Sequence, residues 1–144
     1  MVDFPLKFEV KADSKPGVSN TWQCSANNLE PIKVGIPVEF HGSGKAYTPE
    51  DLYGLAVINC IIAVYKAISE KNNIEFEKIE GSVIVSLDKK HENGNLKLTN
   101  LDIKFKVTGA KDKEKAKTFL EKAIKDCPVS NSIKTGKTYH IDVS

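Results

Sequence analysis

A chain of 144 residues is long enough to bury a core without disulfides or a metal, and its length predicts a single domain over residues 1–144. With 40% hydrophobic and 28% charged residues and a formal net charge of +2, the composition is that of a soluble globular protein, which argues against disorder and against nucleic-acid binding. All 21 basic residues are Lys, so the planar fork with which Arg clamps carboxylates, phosphates and reactive anions is missing.

The N-terminus, Met1-Val2-Asp3-Phe4-Pro5-Leu6-Lys7, has no basic stretch followed by a long apolar one, and a cytoplasmic protein is expected. Leu6 to Ala12 alternates apolar and charged residues and predicts a strand with one face buried. Ser14-Lys15-Pro16-Gly17 reads as a turn. Thr21 to Ala26 and Ile32 to Phe40 are the next two strand candidates, with Asn27-Asn28 as the turn between them and Pro37 marking an edge or a bulge.

The clearest helix start follows. Thr48 is a good N-cap, Pro49 suits the first helical position, and Glu50 and Asp51 place negative charge in the first turn. From Leu52 to Ile68 this helix is apolar on nearly every face, so it needs cover all round. Its length approaches the roughly 17 residues of a membrane span. The acidic start, with Gly54 and Asn59 inside it, argues instead for a buried central helix and no membrane.

Two long alternating segments, Ile79 to Leu87 and Leu96 to Val107, flank Asn93-Gly94 and predict an antiparallel hairpin. Lys111 to Asp126 carries Ala116, Phe119, Leu120, Ala123 and Ile124 on one stripe, as a surface helix should, and Cys127 extends the stripe. Pro128 ends that run or opens a short helix to about Lys134, and Thr138 to Val143 is a last strand. The sum is an α+β fold, with antiparallel sheets around the buried helix. Only one other sizeable helix is available to cover the apolar one, and a homodimer that covers it with the partner chain is the economical solution.

Chemistry has few candidates. Cys24, Cys60 and Cys127 form an odd set without a Cys-x-x-Cys pair, which fits neither a disulfide scaffold nor a zinc site. If the two long helices pack, Cys60 and Cys127 point into one interior; read bare, each is equally a small buried hydrophobe. Were Pro128 to begin a helix, Cys127 would be its N-cap, where free N–H groups favour a thiolate. Gly42-Ser43-Gly44-Lys45 fails as a phosphate loop, because Glu39 and Ala46 stand where that motif requires Gly and Ser or Thr. His41, His91 and His140 have no ligand spacing, so no metal site is expected. Cys24 reads as a bystander.

Thr48-Pro49-Glu50-Asp51-Leu52 opening an apolar helix that carries Cys60, then a hairpin, an amphipathic helix and Cys127-Pro128-Val129-Ser130, resembles the OsmC/Ohr family of thiol peroxidases. The likeness runs from about residue 36 to residue 143 and includes the order of elements. It implies an intertwined homodimer with two sites at the subunit interface, Cys60 as peroxidatic cysteine, Cys127 as resolving cysteine and Glu50 as the carboxylate that orients the site. It also implies organic hydroperoxide as substrate, an external dithiol as reductant, and no cofactor. Ten residues of regular helix are about 15 Å, so Glu50 would serve the partner's cysteine. The family's Arg from the N-terminal strands has no counterpart here, and Lys33 or Lys45 would have to supply charge. A noncatalytic protein binding an apolar small molecule in the same interfacial pocket is the alternative that this absence leaves.

Overall fold

The computed structural model describes residues 2–89 and 93–144, in two compact units divided within the first turn of the long helix. The N-terminal unit, ending at Leu52, is a three-stranded antiparallel meander of β1 (Val10–Asp13), β2 (Trp22–Ala26) and β3 (Ile32–Val34), in that spatial order. Three short strands cannot supply two layers, and every residue of β1 is exposed. The predicted first strand is accordingly shorter than its alternating pattern: Leu6 and Phe8 precede it and remain 53% and 83% exposed.

The third predicted strand also stops early. After Val34 the chain turns, with Gly35 N–H donating to Tyr47 O at 2.8 Å and Tyr47 N–H to Lys33 O at 3.0 Å. Pro37 then precedes a single 3-10 turn, Val38–Phe40, so it ends a strand rather than bulging one. Gly42 closes this turn by donating to Pro37 O at 3.1 Å. A Cβ there would stand 1.6 Å from the Ile36 carbonyl oxygen, which explains the glycine without a phosphate.

Helix α1 (Pro49–Lys71) starts where its caps predict. Asp51 N–H donates to Thr48 Oγ1 at 3.1 Å and Thr48 N–H donates to Asp51 Oδ2 at 2.9 Å, a reciprocal capping pair. The helix outlasts its apolar run by a turn. Asn59 satisfies its amide on the helix itself, donating to Leu55 O at 2.8 Å.

In the C-terminal unit, β4 (Lys78–Lys89) and β5 (Leu96–Thr108) form the expected hairpin, with a register shift at Ser86/Leu87. His91 lies outside the described residues. Helix α2 (Lys113–Asp126) follows, capped by Asp112, which accepts from Lys115 N–H at 3.1 Å. The four-residue α3 (Pro128–Asn131) leads to β6 (Gly136–Val143). β6 pairs with β5 in parallel, because the crossover through α2 returns the chain to the end of the sheet from which β5 started. The order is β4-β5-β6.

Alternation in β5 sends Leu101, Ile103, Phe105 and Val107 inward, where they meet Val57, Ile58, Ile61 and Tyr65 of α1 and Leu120 and Ala123 of α2. Tyr65 Oη donates to Ala116 O at 3.2 Å and ties the two helices together. Gly54 lets α1 approach the sheet: a Cβ there would come within 2.8 Å of Val85 Cγ2. α1 is long and apolar enough to cross a membrane, yet its buried residues pack on this sheet as those of a core helix do. On its opposite face Ala56, Ala63 and Ala67 are exposed among the described residues.

Candidate active site

The sequence candidates divide between the two units. Cys60 sits two turns into the C-terminal unit's part of α1, half-buried and packed against the core cluster that contains Cys127. Cys127 is fully buried at the junction of α2 and α3. Each is there for a simple reason: Cys60 rides the apolar helix, and Cys127 extends the inward stripe of α2 by one step after Ala123. The Cys60 thiol is among the groups that act on the Cys127 sulfur. All three cysteines are free.

Cys127 is the N-cap of α3, as Pro128 suggested, and Ser130 N–H donates to its Sγ at 3.4 Å. The expected lowering of its pKa does not result. Burial and the hydrogen-bonding Cys60 thiol push Cys127 up from an ordinary 9.0 to about 11, and the N–H groups of Ser130 and Val129 offset only part of this. One turn of helix offers two donors to the sulfur, whereas removal from water penalises the thiolate from every side. Cys127 is therefore a protonated thiol at neutral pH, which suits a second-step group better than an initial nucleophile.

The same unit holds two separate hydroxyl pairs. Ser130, 5% exposed, has its Oγ 3.1 Å from Tyr139 Oη on β6. Tyr53 Oη of α1 is 2.5 Å from Thr135 Oγ1. Ser130 belongs to the Cys-Pro-Val-Ser run, but neither its bond to the sulfur nor the two tyrosines can be read from the sequence. Their roles depend on which residue β6 sets beside α3, and a parallel register leaves no local sign in the chain.

Glu50 stands in the first turn of α1, within the N-terminal unit. Its Oε1 is buried without a hydrogen-bond partner among the described residues. Lys33 and Lys45 line one surface depression of that unit with Tyr47 and Asp51. Cys24 is half-buried on β2, opposite Ala12 and Ile32. His41 is exposed at the end of the 3-10 turn, and His140 Nε2 lies 2.9 Å from Asp102 Oδ1 on the sheet surface.

The profile of the OsmC-like protein family matches residues 42–142, from the turn before α1 through β6. The chain belongs to the OsmC-like proteins. Organic hydroperoxide resistance protein-like 1 of Staphylococcus epidermidis is 24% identical over 138 residues, 96% of each chain. An uncharacterized protein of Methanocaldococcus jannaschii is 34% identical over 87 residues, 60% of this chain, which spans 44% of that relative's length. Among solved structures, an organic hydroperoxide resistance protein OsmC from Legionella pneumophila superposes with a TM-score of 0.75 at 24% identity, covering 99% of both chains. This OsmC-like fold is the α+β architecture expected from the sequence, with its last strand joined in parallel. The family resemblance rests on residues of α1 and of the α2–α3 junction, where Cys60 and Cys127 stand.

Proposed function

We infer that this OsmC-like protein reduces organic hydroperoxides with Cys60 and Cys127, acting as a cytoplasmic homodimer in which the whole chain serves as one domain. What supports the reading is that one core cluster of the C-terminal unit contains the fully buried Cys127 and has the half-buried Cys60, from a separate element, packed against it. The names of the relatives from Staphylococcus epidermidis and Legionella pneumophila support the substrate class. The uncovered apolar flank of α1 and the exposed β1 support a second copy as partner.

In the first step the Cys60 thiolate attacks the distal oxygen of the peroxide. The O–O bond breaks, the alcohol leaves with a proton, and Cys60 becomes a sulfenic acid. Cys127 sulfur then attacks the Cys60 sulfur; the S–S bond forms, and the hydroxyl leaves as water with the Cys127 proton. An external dithiol reopens the disulfide by exchange, so the cycle needs no metal or organic cofactor. The apolar core cluster against which Cys60 packs favours an alkyl peroxide over hydrogen peroxide. Glu50 orients the site of the partner subunit, and a Lys, with Lys33 and Lys45 as candidates, supplies the positive charge that Arg gives elsewhere in the family.

The absence of Arg favours one rival, a noncatalytic member of the fold that binds an apolar small molecule between subunits. The two readings part on thiol counts. Treatment with cumene hydroperoxide, followed by titration in denaturant, is expected to remove two of the three thiols per chain, and Cys60→Ser is expected to prevent the loss. Three unchanged thiols would reject the enzymatic reading.

A further inference from the structure

The disulfide step asks Cys127 to present its sulfur to Cys60, and a buried side chain at the end of a helix has to be held there by something. Its own turn is only four residues long. Within that turn, Ser132 Oγ donates to Pro128 O at 2.7 Å and Asn131 Nδ2 donates to Lys125 O at 2.9 Å, contacts that secure α3 to itself and to α2. Neither reaches the sulfur or the sheet. Ser130 does both: its N–H donates to Cys127 Sγ at 3.4 Å, and its Oγ lies 3.1 Å from Tyr139 Oη. Tyr139 stands on β6, opposite Ile103 of β5, with a register fixed along eight pairs from Asn100↔Gly136 to Val107↔Val143.

We propose that Tyr139 is a positioning residue for Cys127: its hydroxyl, bonded to that of Ser130, anchors to the sheet the turn whose Ser130 N–H holds the Cys127 sulfur in place for its bond with Cys60. The hydroxyl pair is partly buried, so loss of either member leaves the other without its partner and releases the turn. The chain of contacts then runs from a rigid strand, through one side chain and one peptide group, to the sulfur. Its effect belongs to disulfide closure and not to the first attack by Cys60. This rests on the reading that Cys60 and Cys127 become bonded during turnover.

The test uses the full-length protein carrying Cys24→Ser, so that two thiols remain, with Tyr139→Phe, Ser130→Ala, both together, and Ser130→Thr. Equilibration in glutathione redox buffers measures how readily Cys60 and Cys127 join, without any peroxide. Tyr139→Phe and Ser130→Ala are each expected to lower the equilibrium constant for the intramolecular disulfide by about 3- to 10-fold, the effect of one lost hydrogen bond. The double variant is expected to fall no further than the worse single one, because both act through one contact. Ser130→Thr, which retains a hydroxyl, is expected to match the parent. With cumene hydroperoxide, quenched samples are expected to show slower disulfide closure in the first two variants at an unchanged rate of Cys60 oxidation. Additive losses, or equilibrium constants equal to the parent's, would overturn the proposal, as would a parent that forms no Cys60–Cys127 disulfide in glutathione. A parent that forms the bond in glutathione but not with peroxide, with the variants weakened as stated, supports the positioning role and rejects the peroxidase reading.

Discussion

Raising the pH from 9 to 11 is expected to remove a specific part of the folding stability, and Cys127 supplies its size. The thiol is fully buried, and burial together with the neighbouring Cys60 moves its pKa from 9.0 to about 11. Below pH 9 folded and unfolded chains both hold the proton, so the contribution is fully present. Between the two values the unfolded chain releases the proton while the folded chain keeps it, and stability falls as pH rises. Two units at 1.36 kcal/mol each set a limit of about 3 kcal/mol, of which about 2 kcal/mol is lost by pH 11. Urea unfolding in the presence of reductant, at one protein concentration and at half-unit steps from pH 8 to 11, measures it. Cys127→Ala serves as the reference that cancels Lys and Tyr titrations. The difference between parent and variant is expected to shrink by about that amount across the interval. A difference that stays flat, or that widens with pH, would refute the argument that the buried thiol is held protonated.

Three further outcomes are expected. Glu50→Ala slows peroxide consumption by about 10- to 100-fold and leaves the dimer intact in sedimentation analysis, because a half-buried carboxylate in the first turn of α1 is not needed for core burial; unchanged kinetics would remove Glu50 from the site. Gly54→Ala gains about 1 kcal/mol of helix propensity but drives a Cβ to within 2.8 Å of Val85 Cγ2. Repacking costs typically about 1–3 kcal/mol, so the urea midpoint is expected to fall, and a rise would show that α1 can move off the sheet freely. Thr48→Ala loses the bond to Asp51 N–H and is expected to cost about 1 kcal/mol, read from the same unfolding curves.

The parts of the fold that could be read directly were those where local chemistry and burial agree. Thr48 and Pro49 marked the start of α1, Asn93-Gly94 the hairpin, and the stripe from Ala116 to Ala123 the inner face of α2. At the N-terminus they disagree: Leu6, Phe8 and Val10 alternate as a buried strand would, yet the three-stranded sheet has no second layer of its own to receive them. Pairing decides such segments, and pairing is not local. The site shows the same division. Cys60 and Cys127 each sit on an apolar stripe that the sequence displays, so their sharing one core cluster follows from burial of those stripes. Tyr139 becomes relevant only through the parallel register of β6. The sign of the Cys127 shift was misjudged because the cap at α3 is a local feature, whereas the desolvation that outweighs it arises from α1, α2 and the sheet together.

The unequal cover of the two sulfurs gives any bond between them a direction. In the proposed cycle a small reductant arriving from solvent strikes the Cys60 side, since Cys127 offers it no surface. Reopening must therefore expel Cys127, whose reluctance to carry negative charge makes it a slow leaving group. On that cycle the regenerating thiol is selected by its ability to enter from one side, and the sulfur that departs is the one to which Ser130 N–H donates.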